Sequence, residues 1–141
     1  MGDIKIIGST PPSIEPGEYT AVYVFHETSK AAFGGKPKVY LTFRLIDPGV
    51  FGVELFAAFN VREITGKPKR YGGFGLSRRQ ELTYQLAKVL PEFRLDRPTL
   101  KPLVHKTLKV AVRTVVKDYK QRSLPLQLQY SVIDRMICIT S

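Results

Sequence analysis

Apolar and polar residues alternate along five segments of the chain, which is the pattern of a half-buried β-strand. In the second segment the apolar residues at positions 39, 41, 43 and 45 share one face, opposite Tyr40, Thr42 and Arg44. Turn residues such as Asp47-Pro48-Gly49 separate the segments. The predicted strands are Glu18–Thr28, Lys38–Asp47, Phe51–Ile64, Thr107–Lys117 and Leu126–Ile139.

One segment follows helical spacing instead. Apolar residues recur every three or four positions from Leu82 to Leu90, which predicts a helix over Arg78–Leu90. Ser77, with Gln80 three residues later, is typical of a capping box. A proline directly after Leu90 ends the pattern.

The order of these elements predicts the fold. Three strands, a helix and two further strands is the order of the OB-fold, a five-stranded barrel with its helix between the third and fourth strands. A length of 141 residues fits one such domain. We therefore predict a mostly all-β protein with an OB-fold-like barrel over residues 18–141. Residues 1–17, rich in proline and glycine near their end, are predicted to be a flexible N-terminal segment.

The net charge of the chain indicates the class of its binding partner. The chain has 22 Lys and Arg residues against 12 Asp and Glu residues, a net charge of +10. Such an excess predicts a polyanionic partner, because the summed field of the protein attracts one. A basic surface that serves only solubility is the alternative.

Basic and aromatic residues fall where an OB-fold binds oligonucleotides, on the face of strands 2 and 3 and in the loops joining strands 1–2 and 4–5. Cations neutralise phosphates and rings stack on unpaired bases, so this combination predicts binding of single strands rather than duplex. Phe56 on the third strand also fits a core position. The predicted nucleic-acid-binding residues are Lys36, Lys38, Tyr40, Arg44, Phe56, Arg62, Lys69, Arg70, Tyr71, Lys109, Arg113, Lys117, Tyr119, Lys120 and Arg122.

Three segments carry a resemblance to a known group of proteins. They are Pro-Gly-Glu-Tyr-Thr-Ala-Val at 16–22, Lys-Val-Tyr-Leu-Thr-Phe-Arg-Leu-Ile-Asp at 38–47, and Gly52 followed by Phe59-Asn60-Val61. Over residues 16–64 the chain resembles small single-stranded DNA-binding proteins of phages and mobile elements. The resemblance implies an OB-fold and non-sequence-specific binding of single-stranded DNA in replication, recombination or repair. The last five residues carry no acidic tail of the kind that recruits partners in housekeeping proteins of this type, so such recruitment is not expected.

Motifs for catalysis or cofactor binding are missing from the sequence. Gly72-Gly73-Phe74-Gly75 lacks the spacing of a dinucleotide fingerprint, and two histidines with one cysteine do not suggest a zinc site. Strict alternation places His26 on one face with Val22 and Val24, as a hydrogen-bonded structural residue. Cys138, between two isoleucines, is predicted to be buried. We expect a protein that is not an enzyme and needs no cofactor or metal.

The expected partner is single-stranded DNA, with RNA and a homodimer left open. The N-terminus lacks the apolar run of a signal peptide, and no segment is long enough to span a bilayer. We therefore expect a cytoplasmic protein with no membrane partner. Two alternatives remain: a basic interaction module or inhibitor that binds an acidic protein surface, and a nuclease with an unrecognised site.

Overall fold

The computed structural model describes residues 12–30 and 35–141. Strands dominate this part of the chain, which confirms the mostly β prediction. The elements are β1 (Gly17–Lys30), β2 (Pro37–Leu45), β3 (Glu54–Asn60), β4 (Glu63–Thr65), β5 (Gly73–Gly75), α1 (Glu81–Val89), β6 (Thr107–Val115) and β7 (Tyr130–Ile139), with short 3₁₀ turns at Lys101–Leu103 and Leu126–Leu128.

Five strands form one antiparallel sheet in the order β3-β2-β1-β6-β7, while β4 and β5 form a separate hairpin. β1 lies at the centre of the sheet. It pairs with β2 over Ala21–Lys30 and with β6 over Gly17–Val22. The edge strands β3 and β7 also contact each other, so the sheet is strongly curved.

The concave side of the sheet and α1 enclose the core. The alternation that predicted inward positions on β2, β3 and β6 is confirmed, because those residues are buried. The apolar face of α1 packs towards β7 and β3. The buried residues at these predicted positions are Val39, Leu41, Phe43, Leu45, Leu55, Ala57, Phe59, Leu82, Leu86, Val89, Leu90, Leu108, Val110 and Val112.

The predicted third strand, Phe51–Ile64, is wrong in its extent. A turn occupies its start, where the N–H of Val53 donates to the carbonyl of Val50 and Gly52 has a φ of 89°. After Asn60 the chain leaves β2 and begins β4, with the N–H of Arg62 donating to Gly75 at 2.9 Å. Alternation continues through the turn and past Asn60 as far as Val61, so it does not reveal these two boundaries.

Two other boundaries also differ from their predictions. β7 begins at Tyr130 rather than Leu126, since Leu126–Leu128 forms a 3₁₀ turn whose alternating side chains mimic a strand. The helix begins at Glu81 rather than Arg78. Only half of the capping box forms: the Oε1 of Gln80 accepts a hydrogen bond from the Ser77 N–H at 2.9 Å, and the Ser77 hydroxyl caps nothing.

β-bulges overturn two further predictions. The register between β1 and β2 shifts across Val24, which turns His26 inward and away from the face of Val22. The register between β6 and β7 shifts across Ile137, so Met136 points into the core while Cys138 is exposed. An extra residue in one strand exchanges inside and outside for everything that follows it.

Residues 12–17 are the described part of the predicted N-terminal segment. Ile14 packs against the core, and its N–H donates to the Ser131 hydroxyl at 2.8 Å. The carbonyl of Pro12 accepts the N–H of Ser131 at 2.9 Å. Across residues 12–30 and 35–141, none of the helical segments has the length and apolar character needed to cross a membrane.

Gln85 provides a test of how α1 is joined to the sheet. Its side chain is 1% exposed, and its Oε1 accepts the N–H of Met136 at 2.9 Å, beside the bulge in β7. Gln85→Met keeps the volume and leaves that N–H without a partner, so we expect a loss of about 1–3 kcal/mol in the free energy of unfolding. Chemical denaturation measures it. The control Gln127→Met, at an exposed site, should change stability by less than about 0.5 kcal/mol, and equal losses in the two variants would contradict this role.

Candidate nucleic-acid interface

The outer side of β1, β2 and β3 presents its residues in cross-strand rows. Directly opposed residues of antiparallel strands point to the same side with Cβ atoms about 5 Å apart. We call this surface the β1–β3 face. Its four rows are Ser29–Lys38–Asn60, Glu27–Tyr40–Ala58, Phe25–Thr42–Phe56 and Val22–Arg44–Glu54.

Three aromatic rings lie on the β1–β3 face, those of Phe25, Tyr40 and Phe56. Phe56 lies in a row of the β1–β3 face, so the core position that the sequence also allowed for it is wrong. The Tyr40 and Phe56 rings are edge to face, with centroids 5.7 Å apart. Burial raises the pKa of Tyr40, and nearby Tyr130 of β7 raises it further. β7 also contacts β3, the edge strand of this face.

A short segment, Lys69–Gly72, is fastened along the second half of β1, and we call it the clasp. The N–H of Thr28 donates to the Lys69 carbonyl at 3.0 Å, and the N–H of Tyr71 donates to the His26 carbonyl at 2.8 Å. The Thr28 hydroxyl also accepts the Lys69 N–H at 3.0 Å. A Cβ at position 72 would overlap this hydroxyl, so only glycine fits there.

The clasp adds a cation to the β1–β3 face. Arg70 forms an isolated bridge with Glu27, and its guanidinium carbon lies 4.0 Å from the centre of the Phe25 ring. This is a close cation–π contact. Tyr71, with a φ of 59°, lies edge-on to His26 rather than on this face. A left-handed φ at a bulky residue is strained, and the surrounding hydrogen bonds hold it in place.

His26 anchors the clasp from beneath. Its Nε2 lies 2.9 Å from the carbonyl of Gly72, and its Nδ1 lies 2.9 Å from the hydroxyl of Tyr23. A carbonyl only accepts, so Nε2 carries the proton and Nδ1 accepts from Tyr23. Burial lowers the pKa of His26 below its usual value of 6.5. The prediction of a hydrogen-bonded structural histidine is confirmed.

Acidic partners neutralise several of the predicted cations. Surface pairs of this kind stabilise the fold little but reduce the positive field of the site. The pairs are Arg44–Glu54 at 2.8 Å, Arg62–Glu63 at 3.2 Å, Arg113–Asp134 at 3.1 Å and Arg122–Asp118 at 2.9 Å. Within residues 12–30 and 35–141, the predicted cations without an acidic partner are Lys36, Lys38, Lys69, Arg70, Lys109, Lys117 and Lys120.

The structure does not bring all predicted residues to one surface. Lys109 and Arg113 lie on β6, on the opposite side of β1 from β2, where Lys109 faces Thr20 and Cys138. Arg62 packs over Gly75 beside the β4–β5 hairpin. Lys36 directly precedes β2, and residues 31–34 of the predicted strand 1–2 loop lie outside the described residues.

The predicted strand 4–5 loop is a hydrogen-bonded turn built around Asp118. One carboxylate oxygen, Oδ1, accepts the N–H groups of Lys120 at 2.8 Å and Arg122 at 2.9 Å. These bonds to the ionised form hold the pKa of Asp118 below its usual range. Tyr119, 85% exposed, projects from the turn with the Lys120 Nζ 5.6 Å from its ring. The turn carries Lys117, Tyr119, Lys120 and Arg122 together.

Phe25 and Glu27 belong to this surface and were not among the predicted residues. Strict alternation places Phe25 on the side of Tyr23, and only the bulge at Val24 turns it outward. A bulge leaves no clear signature in a single sequence.

No family model, curated protein or solved structure matches the chain. Within residues 12–30 and 35–141, His, Cys, Asp and Glu side chains form no group of three or more that could hold a metal ion. The arrangement that the structure does provide is a row of rings and cations on one open face. Its chemistry is stacking and charge neutralisation.

His26 makes stability depend on pH. Its pKa in the folded chain is below 6.5, so the unfolded chain takes up a proton that the folded chain excludes as pH falls through this value. We expect full stability above about pH 6.5 and a progressive loss below it. Denaturant titrations at a series of pH values measure the slope. His26→Gln should flatten it, whereas His105→Asn, at an exposed histidine, should leave it unchanged; an unchanged slope in His26→Gln contradicts the assignment.

Proposed function

We propose that this protein binds single-stranded DNA without strong sequence preference, on the β1–β3 face and the clasp. The observation that carries the proposal is the stacking of Arg70 on Phe25 beside the Tyr40–Phe56 pair. These contacts bring half-buried rings and a cation that has no acidic partner among the described residues together on the outer side of the sheet. We infer a non-enzymatic, cytoplasmic role in replication, recombination or repair, in line with the resemblance in residues 16–64.

Physical chemistry favours a single strand over duplex at such a surface. A single strand offers unpaired bases that stack on rings, worth about 1–3 kcal/mol per base. It also offers a row of phosphates, and cations that neutralise them release counterions. Duplex DNA offers only the phosphates, because its bases are already stacked. Lys38 lies on the same face as the rings, Lys36 directly precedes β2 and Lys69 belongs to the clasp. We infer that these three lysines supply the charge.

The sheet supports the choice of face. The order β3-β2-β1-β6-β7, the contact between β3 and β7, and a helix before β6 fit closure into an OB-fold-like barrel. OB-folds bind oligonucleotides across their second and third strands and the adjacent loops. β7 contacts β3, so the β6–β7 hairpin borders the edge of that face. We infer that Tyr119 and Lys120 form one edge of the site.

One observation favours a second function, a protein–protein interaction module. Leu126 and Leu128 are 80% and 61% exposed, close in sequence to the basic turn that carries Tyr119. Exposed apolar side chains with a basic rim suit an acidic protein surface. The double variant Leu126→Ser/Leu128→Ser separates the functions, because it should leave binding of single strands unchanged.

Salt dependence tests the proposed function. We expect fluorescence anisotropy to show tighter binding of a thymidine oligonucleotide than of duplex DNA of the same length. The logarithm of the affinity should fall with the logarithm of the salt concentration by about 0.7 per phosphate neutralised, or about 3 in total for four engaged cations. Equal affinity for single strand and duplex, or a flat salt response, would count against the site. Matched RNA shows whether DNA is preferred.

Two variants with the same change in charge locate the site. Arg70→Ala removes the cation stacked on Phe25 and should weaken binding of single strands by about 1–2 kcal/mol. Lys109→Ala removes one cation from β6 and should cost less than about 0.5 kcal/mol. Anisotropy titrations at one salt concentration compare them, with thermal melts as a control for folding. A larger loss in Lys109→Ala would move the site to the β6 surface.

A further inference from the structure

Glu27 is an acidic residue in the middle of the β1–β3 face. It lies opposite Tyr40 on one side and opposite Arg70 on the other. Its neighbours His26 and Thr28 are buried, so by strand alternation its side chain points outward. A carboxylate beside a phosphate-binding surface repels the ligand, and its position there calls for a compensating role.

The cations next to Glu27 are engaged elsewhere. The Arg70 guanidinium stacks on Phe25, and the Lys38 Nζ donates to the Asn60 side chain at 2.8 Å. Within the described ranges, 12–30 and 35–141, Glu27 forms no ion pair and no side-chain hydrogen bond. The other carboxylate of this face, Glu54, is occupied by Arg44 at 2.8 Å. Neither oxygen of Glu27 therefore has a partner among the described residues.

Building on the proposed function, we infer that Glu27 recognises the Watson–Crick edge of guanine in the bound single strand. A base stacked on the Tyr40 ring lies beside Glu27, the directly opposed residue of the same row, and turns its edge towards that carboxylate. Guanine offers two adjacent donors, N1–H and the exocyclic N2 amine, which match the two oxygens of a carboxylate. Thymine offers one N–H between two carbonyl oxygens, and these repel the carboxylate.

A guanine contact at Glu27 gives this site a base preference within otherwise non-specific binding. Phosphate neutralisation and stacking accept every base. A bidentate hydrogen-bonded pair adds discrimination only at the position that it reads. Guanine-bearing strands are thus the favoured ligand, and cytosine and adenine, each with one amine donor at this edge, rank between guanine and thymine.

The test removes a single exocyclic amine from the base in the oligonucleotide. Anisotropy titrations compare three oligonucleotides: oligothymidylate, the same strand with isolated guanines, and that strand with hypoxanthine, which lacks only the N2 amine. The unmodified protein should bind the guanine strand about tenfold more tightly than the hypoxanthine strand. Glu27→Gln should reduce this ratio to about one, and it should also bind oligothymidylate more tightly because a negative charge is lost.

Glu18→Gln is the matched control, since it removes the same charge from β1 opposite Ala111 of β6. It should keep the tenfold ratio. Tight binding without a guanine preference, or a preference that survives in Glu27→Gln, overturns this inference and leaves the proposed function standing. Absence of binding to every single strand overturns the proposed function and this inference together.

Discussion

β1 is longer than its partner β6. On the side where β6 pairs with the first half of β1, the backbone of the second half of β1 needs other hydrogen-bond partners. β6 pairs with β1 only as far as Val22. Beyond that point the clasp takes over, with backbone bonds to His26 and Thr28 of 2.8 and 3.0 Å. Buried backbone groups must be paired, so the sheet cannot keep this part of β1 without the clasp. The same bonds fix Arg70 above Phe25. The hydrogen bonds that pair the backbone of β1 therefore also position the residues of the candidate site.

The bulge at Val24 connects the inside of the protein with this surface. It turns His26 inward, where the imidazole holds the carbonyl of Gly72, and Phe25 outward, where the ring meets Arg70. The clasp is thus held from both sides of β1. Because the clasp is already held in place, little conformational entropy is lost when a ligand binds to Arg70.

Alternation and helical spacing were sufficient to predict the core and the five main strands. Leu41, Phe43 and Leu86 are fully buried, as their spacing predicts. The pattern failed where the chain changes partner or phase: at Asn60, at Leu126 and at the bulges in β1 and β7. Of the candidate site, Tyr40, Phe56 and Arg70 were predicted, whereas Phe25 and Glu27 were not. Charge counting also missed that Arg44 and Arg113 face acids across neighbouring strands, because register is a property of the folded sheet.

The most direct test of a binding site on the β1–β3 face and the clasp maps where a single strand touches the protein. Amide chemical shifts of isotope-labelled protein, recorded by NMR during titration with a short thymidine oligonucleotide, report contact residue by residue. We expect small changes around Lys109 and Arg113 and the largest changes in Phe25–Thr28, Lys38–Arg44, Phe56–Asn60 and Lys69–Tyr71. Changes confined to β6 or to Leu126–Leu128, with the β1–β3 face unaffected, would contradict this site.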